Sequence, residues 1–241
     1  IKKYDEEREL SVILMIDVSA SGIYGTGVLL KSDIMIELAS ILSFSAIKNN
    51  DKVGLLLFSD RIEKYIPPQK GKTHVLRVIR EMIYHETKDR GTDIGFALDH
   101  IQKVLKRKSI IFLLSDFWDK SFYQNMKCIS KKHDLVNIQI LDQSELEMPN
   151  IGLIKVHDAE TKQPIWIDTS ATNCCKRIQE ASSRKNNIFN SFCLRNNIDL
   201  IRVNINDGYI RNLHHLKLYY SNIFFSQLSD NNRVSLGIET E

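Results

Sequence analysis

Oxygen-bearing side chains alternate in the segment Asp17-Val18-Ser19-Ala20-Ser21, which directly follows an apolar run from Val12 to Ile16. Carboxylate and hydroxyl oxygens are hard ligands of the kind that Mg²⁺ prefers. The apolar run has the character of a strand buried on both faces of a parallel sheet, and ligands bind such sheets at the carboxyl ends of their strands. The segment is therefore a candidate metal site. The alternative is that Ser19 and Ser21 only stabilise the turn after the strand.

Two more polar side chains are expected at the same edge of the sheet. Thr92 lies in Gly91-Thr92-Asp93, immediately before a helical pattern, and Asp116 follows the apolar run Ser109–Leu114. In a doubly wound sheet these loops lie along one edge, so residues distant in sequence can converge. The candidate metal-binding set is Asp17, Ser19, Ser21, Thr92 and Asp116. Structural roles are the alternative, because Thr92 or Asp93 suits a helix N-cap and Asp116 is a common turn residue.

The elements that must position these side chains alternate between apolar runs and helical patterns. Buried strands are predicted at Val12–Ile16, Val53–Phe58, Ser109–Leu114, Leu135–Leu141 and Asp199–Ile205. Helices are predicted at Lys31–Lys48, at about His74–Tyr84, and from Asp168-Thr169-Ser170 to about Asn196. Two further helices are predicted, one that begins at Ile94 and a short one that runs through Met126. The alternating segment Ile62–Ile66 is predicted as an antiparallel edge strand that ends at Pro67-Pro68. This alternation predicts an α/β fold with a doubly wound, mostly parallel, Rossmann-like sheet covered by helices on both faces.

The second half of the chain predicts smaller additions to this sheet. Between residues 145 and 169, two short strand-like pieces, Gly152–Val156 and Ile165–Ile167, could form an appended hairpin. Tyr209–Ser226 is predicted as an amphipathic closing helix. No internal repeat and no Pro-, Gly- or Ser-rich linker divides the chain, so residues 1–241 are predicted to form one domain.

The composition excludes some classes of protein. The chain is 43% hydrophobic and 26% charged, and its formal net charge of +3 does not favour a nucleic-acid-binding protein. Its four cysteines form no C-x-x-C motif, which favours reduced thiols and a cytoplasmic location. No apolar run is long enough to span a membrane. The chain opens at Ile1 rather than at a methionine, so we expect a fragment whose missing upstream region could associate with a membrane.

The order of Asp17-x-Ser19-x-Ser21, Thr92 and Asp116 resembles the metal-ion-dependent adhesion site of the von Willebrand factor A family. More narrowly, the chain resembles the bacterial uncharacterised family DUF58, whose members carry an A-type domain. The stretches that carry this resemblance are Tyr4–Glu9, Asp51–Phe58, Pro67-Pro68-x-Lys70-Gly71, Gly91-Thr92-Asp93, Ile111–Phe117, His133–Val136 and Asp168-Thr169-Ser170. The resemblance implies a von Willebrand factor A-type three-layer sandwich over nearly the whole chain.

The resemblance also implies how the site would work. Ser19 and Ser21 would bind Mg²⁺ or Mn²⁺ directly, Thr92 directly or through water, and Asp17 and Asp116 mostly through waters. Neutral hydroxyl ligands offset the charge of the ion only in part, so an open position attracts the Asp or Glu of a protein partner. Family resemblance suggests a MoxR-type AAA+ ATPase as that partner, with a role in the assembly or maturation of other proteins. The expected function is thus a non-enzymatic, metal-dependent interaction module that uses neither nucleic acid nor a small-molecule substrate.

Two other functions compete with this one. A metal-dependent hydrolase, either a phosphatase or a nuclease, could use the same edge of the sheet. Two-metal hydrolysis needs several carboxylates around one site, whereas hydroxyls outnumber carboxylates in this set and no second Asp stands at position 19. The remaining alternative is an A-type domain that binds its partner through a helix face without any metal.

Overall fold

A six-stranded sheet forms the centre of the protein. The computed structural model describes residues 10–23, 30–86, 91–119, 121–142, 152–157, 164–170 and 172–205. The strands are β1 (Ser11–Asp17), β2 (Lys52–Phe58), β3 (Ile62–Gln69), β4 (Ile110–Ser115), β5 (Asp134–Leu141), β6 (Leu153–His157), β7 (Pro164–Asp168) and β8 (Asp199–Asn204). The helices are α1 (Lys31–Lys48), α2 (Lys72–Ile83), α3 (Ile94–Val104), α4 (Tyr123–Ser130) and α5 (Thr172–Arg195).

The central sheet has the strand order β3-β2-β1-β4-β5-β8. Every neighbouring pair is parallel except β2 and β3, which are antiparallel. The predicted doubly wound, mostly parallel α/β fold and its antiparallel edge strand are therefore confirmed. The chain leaves β1 towards β2 and leaves β4 towards β5, in opposite directions across the sheet. The carboxyl ends of β1 and β4 consequently flank the switch point where such sheets bind ligands.

Alternate side chains of the strands enter two separate cores. Leu14 of β1 belongs to the core that is shared with α1 and α2, whereas Met15 belongs to the core that is shared with α3, α4 and α5. Both side chains are fully buried. The unbroken apolar run of β1 reflects this burial on both faces, because neither face of the strand meets solvent. The sheet and its two helical layers form the predicted three-layer sandwich.

Two predictions about element boundaries were wrong. Strand β3 does not end at Pro67-Pro68 but continues through both prolines to Gln69. An edge strand tolerates proline because one side of its backbone has no neighbouring strand to bond. In addition, the glycines of the stretch Ser21–Gly27 predict a loop, but Ala20–Ile23 forms a single turn of 3-10 helix. The remainder of that predicted loop, residues 24–27, lies outside the described residues.

The second half of the chain contains the two predicted short strands. β6 and β7 pair antiparallel as a separate two-stranded sheet. The backbone N–H and the hydroxyl of Thr169 both donate to the carbonyl of Gly152, at 2.9 and 2.7 Å. The predicted closing helix Tyr209–Ser226 lies outside the described residues, and the single-domain organisation stays a prediction. Within the described ranges, no helix combines the length and apolar character needed to cross a membrane.

Candidate metal centre

Asp17 is fixed at the end of β1 by contacts to both of its carboxylate oxygens. The hydroxyl of Ser115 donates to Oδ2 at 2.7 Å, and the backbone N–H of Ser19 donates to Oδ1 at 3.0 Å. The register pairs Ile16 with Leu114, so β1 and β4 end side by side and bring Ser115 to Asp17. Asp17, Ser19 and Ser115 are all buried. The carboxylate therefore has a defined orientation at the switch point.

Asp116 follows β4 and carries the second carboxylate of the site. Its Oδ2 accepts a hydrogen bond from the ammonium of Lys31 at 3.3 Å, and its Oδ1 accepts one from the backbone N–H of Trp118 at 3.3 Å. The side chains of Lys31 and Asp116 are 1% and 3% exposed, so this ion pair is removed from solvent. The predicted turn contact is present at Asp116, since one carboxylate oxygen bonds the local backbone, while the other oxygen bonds Lys31.

The two carboxylates repel each other across the site. The pKa of Asp17 is raised from 3.8 to about 6, first by burial and second by the negative charge of Asp116. Hydrogen bonds from Ser19 and Ser115 act in the opposite direction because they stabilise the charged carboxylate. The repulsion shows that Asp17 and Asp116 converge although they are distant in sequence.

Ser19 and Ser21 continue from β1 into the 3-10 turn. The carbonyl of Ser19 accepts from the backbone N–H of Gly22 at 3.1 Å, which closes the turn directly beyond the strand. Ser19 is 1% exposed, and its side chain hydrogen-bonds the carboxylate of Asp17. Ser21 lies within the turn, and its side chain is outside the description.

Thr92 is held at the same edge by the residues that follow it. The backbone N–H of Asp93 donates to the carbonyl of Ser59, just after β2, at 2.9 Å. The N–H of Ile94 donates to the carboxylate of Asp119, just after β4, at 2.9 Å. Asp93 is the N-cap of α3, because its side chain accepts from the N–H of Phe96 at 2.7 Å. Helix capping therefore does not explain Thr92, which is partly exposed.

The sequence-based reasoning missed three residues of this neighbourhood. Ser115 orients Asp17, Asp119 accepts a hydrogen bond from the start of α3, and Lys31 bonds Asp116. A signal for Lys31 was present, because it precedes Ile34 and Leu38 by three and seven residues and so lies on the buried face of α1. A lysine in the first turn of a helix is also unfavourable to the helix dipole, which hints at another reason for its position.

The aromatic residues beside Asp116 have different roles. Phe117 is buried, and its ring centroid lies 4.6 Å from that of Phe189 and 5.8 Å from that of Phe122. Phe117 therefore packs in the core between β4, α4 and α5 and does not line the candidate metal site. Trp118 is half-exposed, and the ammonium of Lys185 lies 3.8 Å from the centroid of its ring.

The donor set of the site fits a hard divalent cation. The side chains of Asp17, Ser19, Thr92 and Asp116 offer only oxygen atoms, and the repulsion between the two carboxylates would be relieved by a positive ion. In the described part of the chain, no group of three or more His, Cys, Asp or Glu side chains could hold a metal. An ion at this edge would therefore depend on hydroxyl ligands and water.

Comparisons with known proteins agree with this architecture. The family model described as "Protein of unknown function DUF58" matches residues 1–188. An uncharacterized protein of Mycobacterium tuberculosis is 26% identical over 165 residues, which make up 67% of this chain and 52% of that protein. The chain thus spans about half the length of the curated relatives it matches.

Solved structures share the fold at low sequence identity. An aerotolerance-related membrane protein from Bacteroides fragilis aligns with a TM-score of 0.59 and 15% identity, over 87% of this chain and 97% of that one. The conserved hypothetical protein BatB from Bacteroides thetaiotaomicron aligns with a TM-score of 0.55 and 16% identity, over 86% and 98%. The VWA domain of SpRpn10 aligns with a TM-score of 0.49 and 10% identity, over 86% and 94%. The two Bacteroides proteins therefore share the fold of this chain.

Proposed function

The chain belongs to the DUF58 family, and we propose that it is a divalent-metal-dependent protein-interaction module without catalytic activity of its own. The observation that carries the proposal is the buried pair of carboxylates, Asp17 and Asp116, at the switch point of the sheet. Two repelling carboxylates beside buried hydroxyls are unfavourable in isolation and are suited to a cation.

We propose that five residues hold the ion. Ser19, Ser21 and Thr92 would offer hydroxyl oxygens, while Asp17 and Asp116 would act mostly through water. Mg²⁺ or Mn²⁺ suits this set because both ions accept oxygen ligands and retain water. When bound, the ion would supply a coordination position that the carboxylate of a partner protein can complete.

The hydrolase alternative is less well supported. Two-metal hydrolysis requires several carboxylates that bridge and flank a pair of ions. Asp17 and Asp116 are the two carboxylates that this site brings together, and Asp116 already bonds Lys31 and Trp118. We therefore propose recognition of an acidic side chain rather than cleavage of a phosphate ester.

We further propose that the partner is a MoxR-type AAA+ ATPase and that the pair assists the assembly or maturation of other proteins. The proposal derives from the family resemblance. The Bacteroides fragilis protein that shares the fold is a membrane protein, and we extend the proposal to action at the cytoplasmic face of a membrane. Free thiols at Cys128 and Cys193 agree with a reducing compartment.

A capture experiment tests the metal dependence. The immobilised chain is exposed to cytosol from its own source in Mg²⁺ or in chelator, and retained proteins are quantified by mass spectrometry. We expect a protein that is retained only in Mg²⁺, and we expect Asp17→Asn to lose it. Asp134→Asn is the matched control, because Asp134 lies at the amino-terminal end of β5, whereas the proposed site lies at the carboxyl ends of the strands. Equal capture in chelator and in Mg²⁺ would contradict the proposal.

The ATPase partner needs a separate test, because such enzymes themselves require Mg²⁺. A purified MoxR-type ATPase is mixed with the wild-type chain, Asp17→Asn or Asp134→Asn in the same Mg²⁺ and nucleotide. We expect the wild type and Asp134→Asn to bind and Asp17→Asn not to bind. Equal binding by all three variants would show that the ATPase does not recognise the metal site.

A further inference from the structure

Lys31 is the most unusual charged residue of the site. It is the first residue of α1, and its side chain is 1% exposed. An ammonium loses favourable hydration on burial, and the N-terminus of a helix repels positive charge. Both effects oppose a lysine at this position unless a nearby anion compensates. That anion is Asp116, whose Oδ2 lies 3.3 Å from Nζ of Lys31.

The anion that bonds Lys31 is also a member of the proposed metal site. Asp116 raises the pKa of Asp17 through its charge, so the two carboxylates share one electrostatic environment. The ammonium of Lys31 therefore contributes a positive charge to the site at which a divalent cation would be bound. Like charges in a buried, weakly screened environment repel strongly. A bound ion and the ammonium must compete for the same negative charge.

We propose that Lys31 is a tethered counter-cation, which holds Asp116 in place without a divalent ion and weakens the binding of that ion. The inference rests on the proposed function only in taking Asp17, Ser19 and Asp116 as the place where the ion binds. Lys31 gives the site a fixed positive charge of one unit against two carboxylates. The remaining negative charge attracts a divalent cation, but less strongly than the carboxylates alone would.

This arrangement has two consequences, and the second is one that a merely structural lysine would not have. The fold keeps Asp116 in its place in metal-free solution, since the ion pair satisfies the carboxylate. Removal of the ammonium makes the metal-free protein less stable. It also increases the stability that the protein gains when it binds the ion. Stability and metal affinity thus change in opposite directions, which distinguishes competition from simple loss of structure.

The test uses Lys31→Met, which preserves a long unbranched side chain and removes the charge. The probe is MnCl₂ alone, titrated into the chain by calorimetry, and thermal unfolding is recorded in chelator and in saturating Mn²⁺. We expect the melting temperature in chelator to fall by about 5 °C or more, because a buried carboxylate loses its partner. We expect Mn²⁺ to bind about tenfold more tightly or better.

Lys48→Met is the matched control, because Lys48 is an exposed lysine in the last turn of the same helix. It should change neither the melting temperature nor the Mn²⁺ affinity. Lys31→Gln is the second neutral variant, and its amide can still donate to Asp116. It keeps the proposal testable if Lys31→Met does not fold, and it should also bind Mn²⁺ more tightly than the wild type.

The outcomes separate this inference from the proposed function. If the wild type binds Mn²⁺ and the neutral variants bind it equally or more weakly, the inference is overturned and the metal-dependent module stands. If only the neutral variants bind Mn²⁺, Lys31 acts as the counter-cation but the wild type does not use a metal. If neither binds, the inference and the metal dependence are both wrong.

Discussion

The hydroxyl of Ser115 donates a hydrogen bond of 2.7 Å to the carboxylate of Asp17, joining two residues that are 98 positions apart in the sequence. The same hydroxyl oxygen accepts a hydrogen bond from the backbone N–H of Phe117 at 3.0 Å. Ser115 therefore links the ends of two neighbouring parallel strands, β1 and β4, to the loop that carries Asp116. It orients one carboxylate of the candidate metal centre and anchors the backbone next to the other.

Replacement of Ser115 by alanine should destabilise the fold and weaken the site. The substitution leaves an oxygen of the buried Asp17 carboxylate without this donor, a loss worth about 1–3 kcal/mol. We expect urea unfolding at pH 7.5 to show a decrease of that size and Mn²⁺ to bind less tightly. Ser183→Ala, at an exposed position of α5, is the control. A Ser115→Ala protein that is as stable as the wild type would show that the bond is dispensable.

The pH dependence of stability should report the raised pKa of Asp17. The pKa in the folded protein is about 6 against an ordinary 3.8, so the folded state holds this proton more tightly than the unfolded chain. The charged carboxylate therefore destabilises the metal-free fold above pH 6, by an amount on the order of 3 kcal/mol at most. This destabilisation decreases as the pH falls from about 6 towards 3.8.

Asp17→Asn removes that ionisation. In chelator at pH 7.5 we expect the variant to be more stable than the wild type, and we expect its advantage to shrink by pH 5. Saturating Mg²⁺ should also reduce the advantage, because it stabilises only the wild type. Urea unfolding at several pH values measures these differences. An advantage that is constant with pH would refute the assignment of the titration to Asp17.

Thr92 and Asp93 should be separable by mutation although they are neighbours. Asp93→Ala removes the side-chain acceptor for the N–H of Phe96 and should destabilise the fold by about 1 kcal/mol. Thr92→Ala removes no cap, so in chelator we expect a change within about 0.5 kcal/mol. In a Mn²⁺ titration, Thr92→Ala should bind about tenfold more weakly. Unchanged Mn²⁺ affinity in Thr92→Ala would remove Thr92 from the proposed ligand set.

Cys128 and Cys193, the two cysteines whose side chains the structure describes, should differ in reactivity. Burial raises the pKa of the Cys193 thiol from 9.0 to about 11, so the reactive thiolate is scarce there, whereas Cys128 is exposed. We expect iodoacetamide at pH 8 to modify Cys128 well before Cys193. Peptide mass spectrometry at timed intervals measures both rates. In urea the difference should disappear, and equal rates in the native protein would show that Cys193 is accessible.

The sequence by itself determined the fold class. Unbroken apolar runs such as Val12–Ile16 and Ile110–Leu114 are typical of strands that are covered on both faces, and they alternate with helical patterns. The bounds predicted for α1, Lys31–Lys48, are those observed. Local periodicity is sufficient for such predictions, because each residue reports the burial of its own position. The set Asp17, Ser19, Ser21, Thr92 and Asp116 stays a prediction as a metal site.

Tertiary structure alone decided what these side chains meet. The sequence left both Thr92 and Asp93 as candidates for the cap of α3, and the structure assigns the cap to Asp93. It also placed the ammonium of Lys31 on Asp116 and the hydroxyl of Ser115 on Asp17. Such contacts depend on which strand ends lie side by side. Strand order and register determine this arrangement, and local sequence patterns do not encode it.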